Sequence, residues 1–376
     1  MELNLTRSQK EIQKAATTFA KGEFDKDLAL NLDKKGRFPE EIWKKAAELG
    51  LVGIHIDGDK ELSLVDSVIV AQSLCAVDSG IGSSILSTTS GAELLFMDGD
   101  ENFRSKYLVP LLTGDKVCSF AYLESEKNLQ STNTRAYLQD GVVTLSGSKL
   151  YVVNAEIADY FIILCLISLK EEPSENLSLI VVDKNTDGIN IRPLGEKLGF
   201  RMNPVANVDF SEAKIPAANI LTFNCESKLK KYLAIDHILK ASVAIGIAKG
   251  AFLRALEYTK LRKQFGTAIA GFQVTKHKIA DMDTQIQTAN LLTFQAAQNI
   301  ENGNYDDLPS AQALLTASKA AVYVCDEAVQ LMGGYGYMAE YDVERFYRDA
   351  KALEITYPSC SALKDIIANK VIGKIK

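Results

Sequence analysis

Residues Gln330–Lys351 read QLMGGYGYMAEYDVERFYRDAK. Two adjacent glycines, Gly333 and Gly334, close a helical run. Glycine has no Cβ, so its backbone amide can approach a phosphate closely. Beyond the stretch, Ile355-Thr356-Tyr357-Pro358-Ser359 carries no carboxylate. Upstream, Ile279, Met282, Ile286, Ala289, Leu292 and Ala296 recur at steps of three or four, the period of a helix. Pro309 opens the helix that leads to the glycines. The chain from 226 to 376 therefore reads as a C-terminal helical bundle.

Between 115 and 225 the period changes. Thr134–Gly147 reads TRAYLQDGVVTLSG, with Asp140-Gly141 as a hairpin turn between alternating strands. Tyr160–Ile167 and Leu177–Val182 are short apolar runs bounded by turn residues. This is a β domain. Residues 1–114 read as helix again. Pro39 stands at a first turn beside Glu40 and Glu41, and Ile42, Ala46 and Leu49 form an apolar face closed by Gly50. Further helices are expected over Leu64–Cys75 and Glu101–Leu112. The order of helix block, strand block, helix block is α+β. It lacks the βαβ alternation and the glycine fingerprint of a Rossmann unit.

Composition narrows the function classes. The chain has 376 residues, is 47% hydrophobic and carries a formal net charge of −6. It is long enough for several subdomains, and no basic patch favours nucleic acid. Six scattered cysteines without a CxxC pair read as free thiols in a reducing compartment. Three histidines without ligand spacing argue against a metal. The stretch MELNLTRSQKEIQKAATTF has no apolar signal core, and no run approaches the roughly 20 apolar residues of a membrane span. A cytoplasmic location is expected.

A second motif is Leu261-Arg262-Lys263-Gln264-Phe265-Gly266. An arginine fork matches a pyrophosphate, and a phenylalanine three residues on can pack on a ring or ribose. Together with Phe272-Gln273 and Gln330…Gly333-Gly334, this motif resembles the acyl-CoA dehydrogenase family. Gly195-Glu196-Lys197-Leu198-Gly199-Phe200-Arg201 is similar to that family's middle-domain turn. Val208-Asp209-Phe210, Ile215-Pro216 and Asn219-Ile220-Leu221 are similar to its closing strand. The resemblance covers essentially the whole chain. It implies an N-terminal helical domain, a middle β domain and a C-terminal four-helix bundle. It implies FAD as cofactor, held by Arg262, Gln264, Phe265, Gln330, Gly333 and Gly334, with the glycine run serving a neighbouring subunit. An oligomer follows, commonly a homotetramer, with electron-transferring flavoprotein or another acceptor as electron partner.

The departures from the family pattern cluster at the reaction centre. Its threonine–glutamate–proline–glycine run is Leu123-Glu124-Ser125-Glu126-Lys127 here. Its tryptophan–isoleucine–threonine–asparagine run is Tyr151-Val152-Val153-Asn154. Leucine and valine side chains cannot hydrogen-bond flavin heteroatoms, whereas Tyr151 can stack on the ring system. The usual glutamate base falls on Tyr357, a phenol with an ordinary pKa near ~10 and a poor base at neutral pH. Some family members place the base where Asp236 falls, beside a residue that here is His237. The resemblance makes Asp236 the candidate catalytic base and His237 its substrate-binding neighbour. Read from residue type alone, Asp236 is first a cap for a helix starting at Ile238, a position where aspartate is strongly preferred. Ile85–Leu95 and the helix after Asp236 are expected to supply an acyl pocket, with Leu86, Leu94, Leu95 and Phe96 as apolar candidates.

The function implied is FAD-dependent α,β-dehydrogenation of an acyl thioester, carried by coenzyme A or a carrier protein, at a non-standard site. Two other readings stand beside it. One is a non-catalytic subunit of a hetero-oligomeric dehydrogenase. The other is a flavin oxidase or monooxygenase on the same fold.

Overall fold

The computed structural model describes residues 5–56, 63–124, 132–169, 172–356 and 358–373 and, for residues 172–174, the backbone only. Helix α1 (Arg7–Glu23) starts with a capping box: the Gln9 amide donates to Thr6 Oγ1, and the Thr6 amide donates to Gln9 Oε1. The next two helices are α2 (Lys26–Lys35) and α3 (Glu40–Glu48). They pack Ala29, Ile42, Trp43 and Ala46 against α4 (Leu64–Val77) and α5 (Ser79–Leu86). Helix α4 is apolar all round because it is covered on both sides. Val70 and Leu74 face this first core, and Leu64, Val65 and Val68 face the C-terminal bundle. After α6 (Ala92–Asp98), the helix expected over Glu101–Leu112 is helical throughout but not uniformly α. It runs as α7 (Glu101–Phe103), a π turn (Arg104–Leu108) and α8 (Val109–Leu112).

The middle block is an eight-stranded sheet among the described residues. Its strands are β1 (Cys118–Ala121), β2 (Arg135–Gln139), β3 (Val142–Val153), β4 (Tyr160–Leu169), β5 (Glu172–Asp183), β6 (Ile189–Pro193), β7 (Val205–Pro216) and β8 (Ile220–Thr222). The order is β6-β7-β3-β2-β4-β5-β8, with β1 pairing β4. Asp140 and Gly141 both have positive φ, 50° and 77°, as the tight hairpin between β2 and β3 requires. Strand β4 reads as an unbroken apolar run because both of its faces are buried. Phe161, Ile163 and Cys165 join one core, and Tyr160, Ile162 and Leu164 join another against α6 and the following turns.

The C-terminal block contains α9 (Glu226–Leu261), α10 (Gln273–Glu301) and α11 (Asp307–Met332). A two-stranded ribbon, β9 (Lys263–Gln264) with β10 (Thr267–Ala268), separates α9 from α10. The short α12 (Gly334–Tyr337) precedes α13 (Val343–Ile355) and α14 (Cys360–Ile372), which pack on α11. Small residues such as Ala241, Ala248, Ala317 and Ala321 let the long helices approach closely.

The three blocks are joined through the Arg345-Phe346-Tyr347-Arg348-Asp349 stretch of α13. Arg345 Nη2 donates to Asp78 Oδ2 at 2.5 Å, and Arg348 Nη2 donates to Asp33 Oδ2 at 2.8 Å. The Asp349 carboxylate accepts from Ser79 Oγ and from the Phe200 amide, both at 2.6 Å. One helix thus ties the N-terminal helices and the middle-domain turn to the bundle.

Candidate active site

The site is built on α9. Helix α9 begins at Glu226, so Asp236 lies ten residues inside it and caps nothing; the capping reading of Asp236 is corrected. Tyr232, Asp236 and Lys240 recur at steps of four and share one stripe of the helix. Tyr232 is buried, and its ring meets Phe120 edge-on at 4.9 Å; Phe120 in turn stacks on Tyr122 at 4.7 Å. Burial holds the Tyr232 phenol well above its ordinary pKa, reinforced by the Asp236, Glu93 and Tyr122 side chains and opposed by a hydrogen bond with Ser90. The Asp236 side chain is 16% exposed, and its Oδ2 accepts from Lys240 Nζ at 2.7 Å. An ammonium therefore stands one turn beyond the candidate base.

His237 is next in sequence, about 100° around the helix, so the two side chains do not face one another. It points into the bundle and is 3% exposed. Its Nδ1 has no hydrogen-bond partner among the described residues. Burial pushes its pKa down to about 4, so the ring is neutral at pH 7.

The second wall comes from the chain leaving β1 and from the far end of β3. The Leu150 amide donates to the Leu123 carbonyl at 2.9 Å and locks these segments together. Glu124 Oε1 accepts from Lys149 Nζ at 2.6 Å and from Thr134 Oγ1 at 2.7 Å; its Oε2 accepts from the Asn133 amide at 2.6 Å. Thr132 Oγ1 also donates to Glu124. Burial raises the Glu124 pKa, but the Lys149 and Thr132 hydrogen bonds outweigh it and bring the carboxyl down to about 2. Ser125, Glu126 and Lys127 lie outside the described residues.

An irregularity in the β3–β7 pairing between Lys149 and Val152 sends Lys149 inward and Tyr151 outward. Tyr151 is 60% exposed and has φ 53°, a costly backbone for an aromatic residue; its amide donates to Asn207 Oδ1 at 3.1 Å. Strain of this kind concentrates at ligand sites. Asn154 beside it also has positive φ and donates from Nδ2 to Ser87 Oγ at 3.0 Å.

Arg262, Gln264, Phe265, Gln330, Gly333 and Gly334 form a separate group. Arg262 follows the last residue of α9, Gln264 lies in β9, and Phe265 is 96% exposed with φ 49°. Gly333 ends α11 with φ 58°, and a Cβ on Gly333 or Gly334 would meet nothing within 4 Å, so this backbone is open to a ligand. The rings of Tyr258 and Tyr335, 5.9 Å apart, bring the glycine loop to the same end of α9 as Arg262. Twenty-six residues separate Asp236 from Arg262 along one continuous helix, roughly 39 Å of axis. That exceeds the span of one dinucleotide. Within one chain the aromatic–carboxylate group and the arginine–glycine group are therefore not brought together.

Of the apolar pocket candidates, Leu94, Leu95 and Phe96 share a core with Tyr232, whereas Leu86 packs on the N-terminal core with Trp43. Tyr357 lies outside the described residues. Glu354 pairs with Lys351 at 2.5 Å. Sequence reading did not single out Tyr232, Lys240, Lys149 or the buried His55–Glu93 pair. The four-residue spacing of Tyr232, Asp236 and Lys240 was the one signal available for the first two.

The comparisons with known proteins agree with this architecture. Residues 6–115 match the acyl-CoA dehydrogenase N-terminal domain, 124–213 its middle domain and 229–371 its C-terminal domain. The short-chain-specific acyl-CoA dehydrogenase of Clostridium acetobutylicum is 33% identical over 99% of this chain and 100% of its own. The caffeyl-CoA reductase-Etf complex subunit CarC of Acetobacterium woodii is 31% identical over 98% of this chain and 99% of its own. The structure of butyryl-CoA dehydrogenase from Megasphaera elsdenii superposes with a TM-score of 0.91 at 28% identity, covering 99% of this chain and 100% of that one. No helix among the described residues is long and apolar enough to cross a membrane. The chain belongs to the acyl-CoA dehydrogenase family of FAD-dependent oxidoreductases.

Proposed function

We propose that this chain catalyses α,β-dehydrogenation of an acyl thioester, with Asp236 as the proton-abstracting carboxylate. The observation that carries the reading is the position of Asp236. It is a largely buried carboxylate one turn beyond Tyr232 and its aromatic neighbours, whereas the usual base position carries Tyr357.

The chemistry of the side chains fits FAD. Tyr151 offers an exposed ring on a strained backbone, Arg262 a cation, Gln264 and Gln330 amides, Phe265 an apolar face, and Gly333-Gly334 accessible backbone. FAD, when bound, supplies the acceptor for the β-hydride. Asp236 takes the α-proton on its carboxylate, and the electron pair of that C–H bond becomes the new C=C bond. Lys240 holds the carboxylate by a charge-assisted hydrogen bond. Tyr232, Phe120 and Tyr122 exclude water from the acyl side. His237, neutral at pH 7 and turned into the bundle, keeps an unpaired Nδ1 on a different face of α9 from Asp236.

The separation of the two cofactor-binding groups supports a shared site. One copy supplies Tyr151 and Asp236, and a second supplies Arg262, Phe265 and Gly333-Gly334. A homotetramer satisfies this for every copy. A relative named as part of an Etf complex supports electron-transferring flavoprotein as the electron acceptor.

The test is anaerobic mixing of the flavin-loaded chain with a panel of acyl thioesters while the flavin absorbance is followed. Bleaching is expected in the parent chain. Asp236→Asn is expected to keep its flavin and not bleach, and Tyr357→Phe to cost far less. Bleaching of Asp236→Asn at the parent rate overturns the assignment of the base.

A further inference from the structure

Three side chains form a buried polar chain that the dehydrogenation chemistry does not use. Ser67 Oγ lies 2.8 Å from His55 Nδ1, and His55 Nε2 lies 2.8 Å from Glu93 Oε1. Ser67, His55 and Glu93 are 5%, 3% and 3% exposed. With a neutral ring, the contacts are met by Ser67 donating to Nδ1 and the Nε2–H donating to Oε1. That satisfies one Glu93 oxygen. The other, Oε2, is fully buried and has no hydrogen-bond partner among the described residues. A buried acceptor without a donor is costly, and folded chains rarely leave one without a reason.

The position of Glu93 supplies the reason. It lies in the first turn of α6, whose next residues Leu94, Leu95 and Phe96 share a core with Phe120, Cys118 and Tyr232. Helix α6 packs against α9. The Tyr232 phenol bonds Ser90, three residues before Glu93, and is close enough to both Glu93 and Asp236 to sense their charge. Glu93 and the proposed base Asp236 therefore both stand near Tyr232, and the apolar residues that follow Glu93 on α6 share the Tyr232 core.

We infer that Glu93, held by His55 and Ser67, is a specificity-determining acceptor that selects an acyl group carrying a hydrogen-bond donor, a hydroxyl or an amine, over a plain alkyl chain. The inference rests on the acyl-thioester reading above. Glu93 takes no part in the bond changes. It offers Oε2 to the donor on the acyl chain, while His55 and Ser67 fix the carboxylate so that the second oxygen does not rotate away. A site with a committed buried acceptor rejects an analogue that lacks the donor, because the acceptor is then left unpaired in a water-free space.

The experiment compares matched probes by titration calorimetry on the flavin-loaded chain without oxygen. The pairs are 4-hydroxybutyryl-CoA with pentanoyl-CoA, 5-hydroxypentanoyl-CoA with hexanoyl-CoA, and 6-hydroxyhexanoyl-CoA with heptanoyl-CoA. A hydroxyl replaces a methyl in each pair at nearly equal size. At least one hydroxylated probe is expected to bind about tenfold or more tightly than its twin. Glu93→Leu is expected to erase or invert that ratio, and His55→Phe to reduce it. If every methyl twin binds the parent chain at least as tightly, or if Glu93→Leu leaves the ratio unchanged, the inference is wrong and Oε2 is met by an internal water only. Binding of no probe overturns it equally. If Glu93→Leu does not fold, the parent ratio together with Glu93→Gln decides. Flavin bleaching read in the same samples separates the two ideas. A tenfold ratio without bleaching keeps the pocket and sinks the dehydrogenase. Bleaching that favours the methyl twins does the reverse.

Discussion

The α-carbon of Gly199 packs so closely on α13 that an added Cβ would stand 2.2 Å from the Arg348 carbonyl oxygen. The obstacle is backbone, which cannot swing aside. This contact seats the middle-domain turn on the helix that also reaches Asp33 and Asp78. Gly199→Ala is expected to destabilise the chain by about 1–3 kcal/mol, the usual cost of overpacking. Denaturant unfolding checks it. A variant as stable as the parent would mean that the turn moves freely from α13.

Asp349 anchors the same joint, and burial pushes its pKa up to about 6 against the favourable Ser79 and Phe200 hydrogen bonds and the Arg348 charge. A carboxyl raised in the folded state favours folding when protonated. Its contribution is complete below the ordinary value near 3.8, and it is lost as pH rises toward 6. The shift corresponds to about 3 kcal/mol. Asp349→Asn is expected to lose this gain on acidification between pH 6 and pH 4, measured by unfolding at each pH. An unchanged slope would remove Asp349 from the account.

His237 works in the opposite sense. Its pKa falls from 6.5 to about 4 on burial, so stability is present above 6.5 and is lost as pH falls toward 4. His237→Asn is expected to remove that loss, so the variant resists acid better relative to its own stability at pH 8. Equal acid sensitivity in parent and variant would show that the ring is charged or solvated in the folded chain.

Arg262→Ala is expected to purify with markedly less flavin. A charge-assisted contact to a phosphate contributes roughly 1.5–3 kcal/mol, a loss of about ten- to a hundredfold in affinity. The ratio of flavin to protein absorbance reads it. Full flavin occupancy in a folded variant takes this residue out of the site.

Light scattering on the flavin-loaded chain is expected to give an oligomer, because Asp236 and Arg262 stand roughly 39 Å apart along one continuous helix. A monomer near 41.2 kDa that holds FAD contradicts the shared site.

The sequence by itself determined the three blocks, because each rests on a local signal. The step of three and four from Ile279 to Ala296 is a helix wherever it sits, and Asp140-Gly141 makes a hairpin through its own backbone preference. The motifs around Arg262 and Gly333 carried the family for the same reason, being short and contiguous. Tertiary structure alone decided what the candidate residues face. Whether Asp236 capped a helix or sat within one depended on where α9 begins, and a start at Glu226 leaves little sign ten residues later. The pairs Asp236–Lys240, Glu124–Lys149 and His55–Glu93 follow from packing. A lone lysine in β3 or a histidine before Ile56 reads as surface until a partner from a distant segment arrives. The distance between Asp236 and Arg262 is also a property of the fold. A helix keeps its two ends apart however strongly the motifs at each end point to one cofactor.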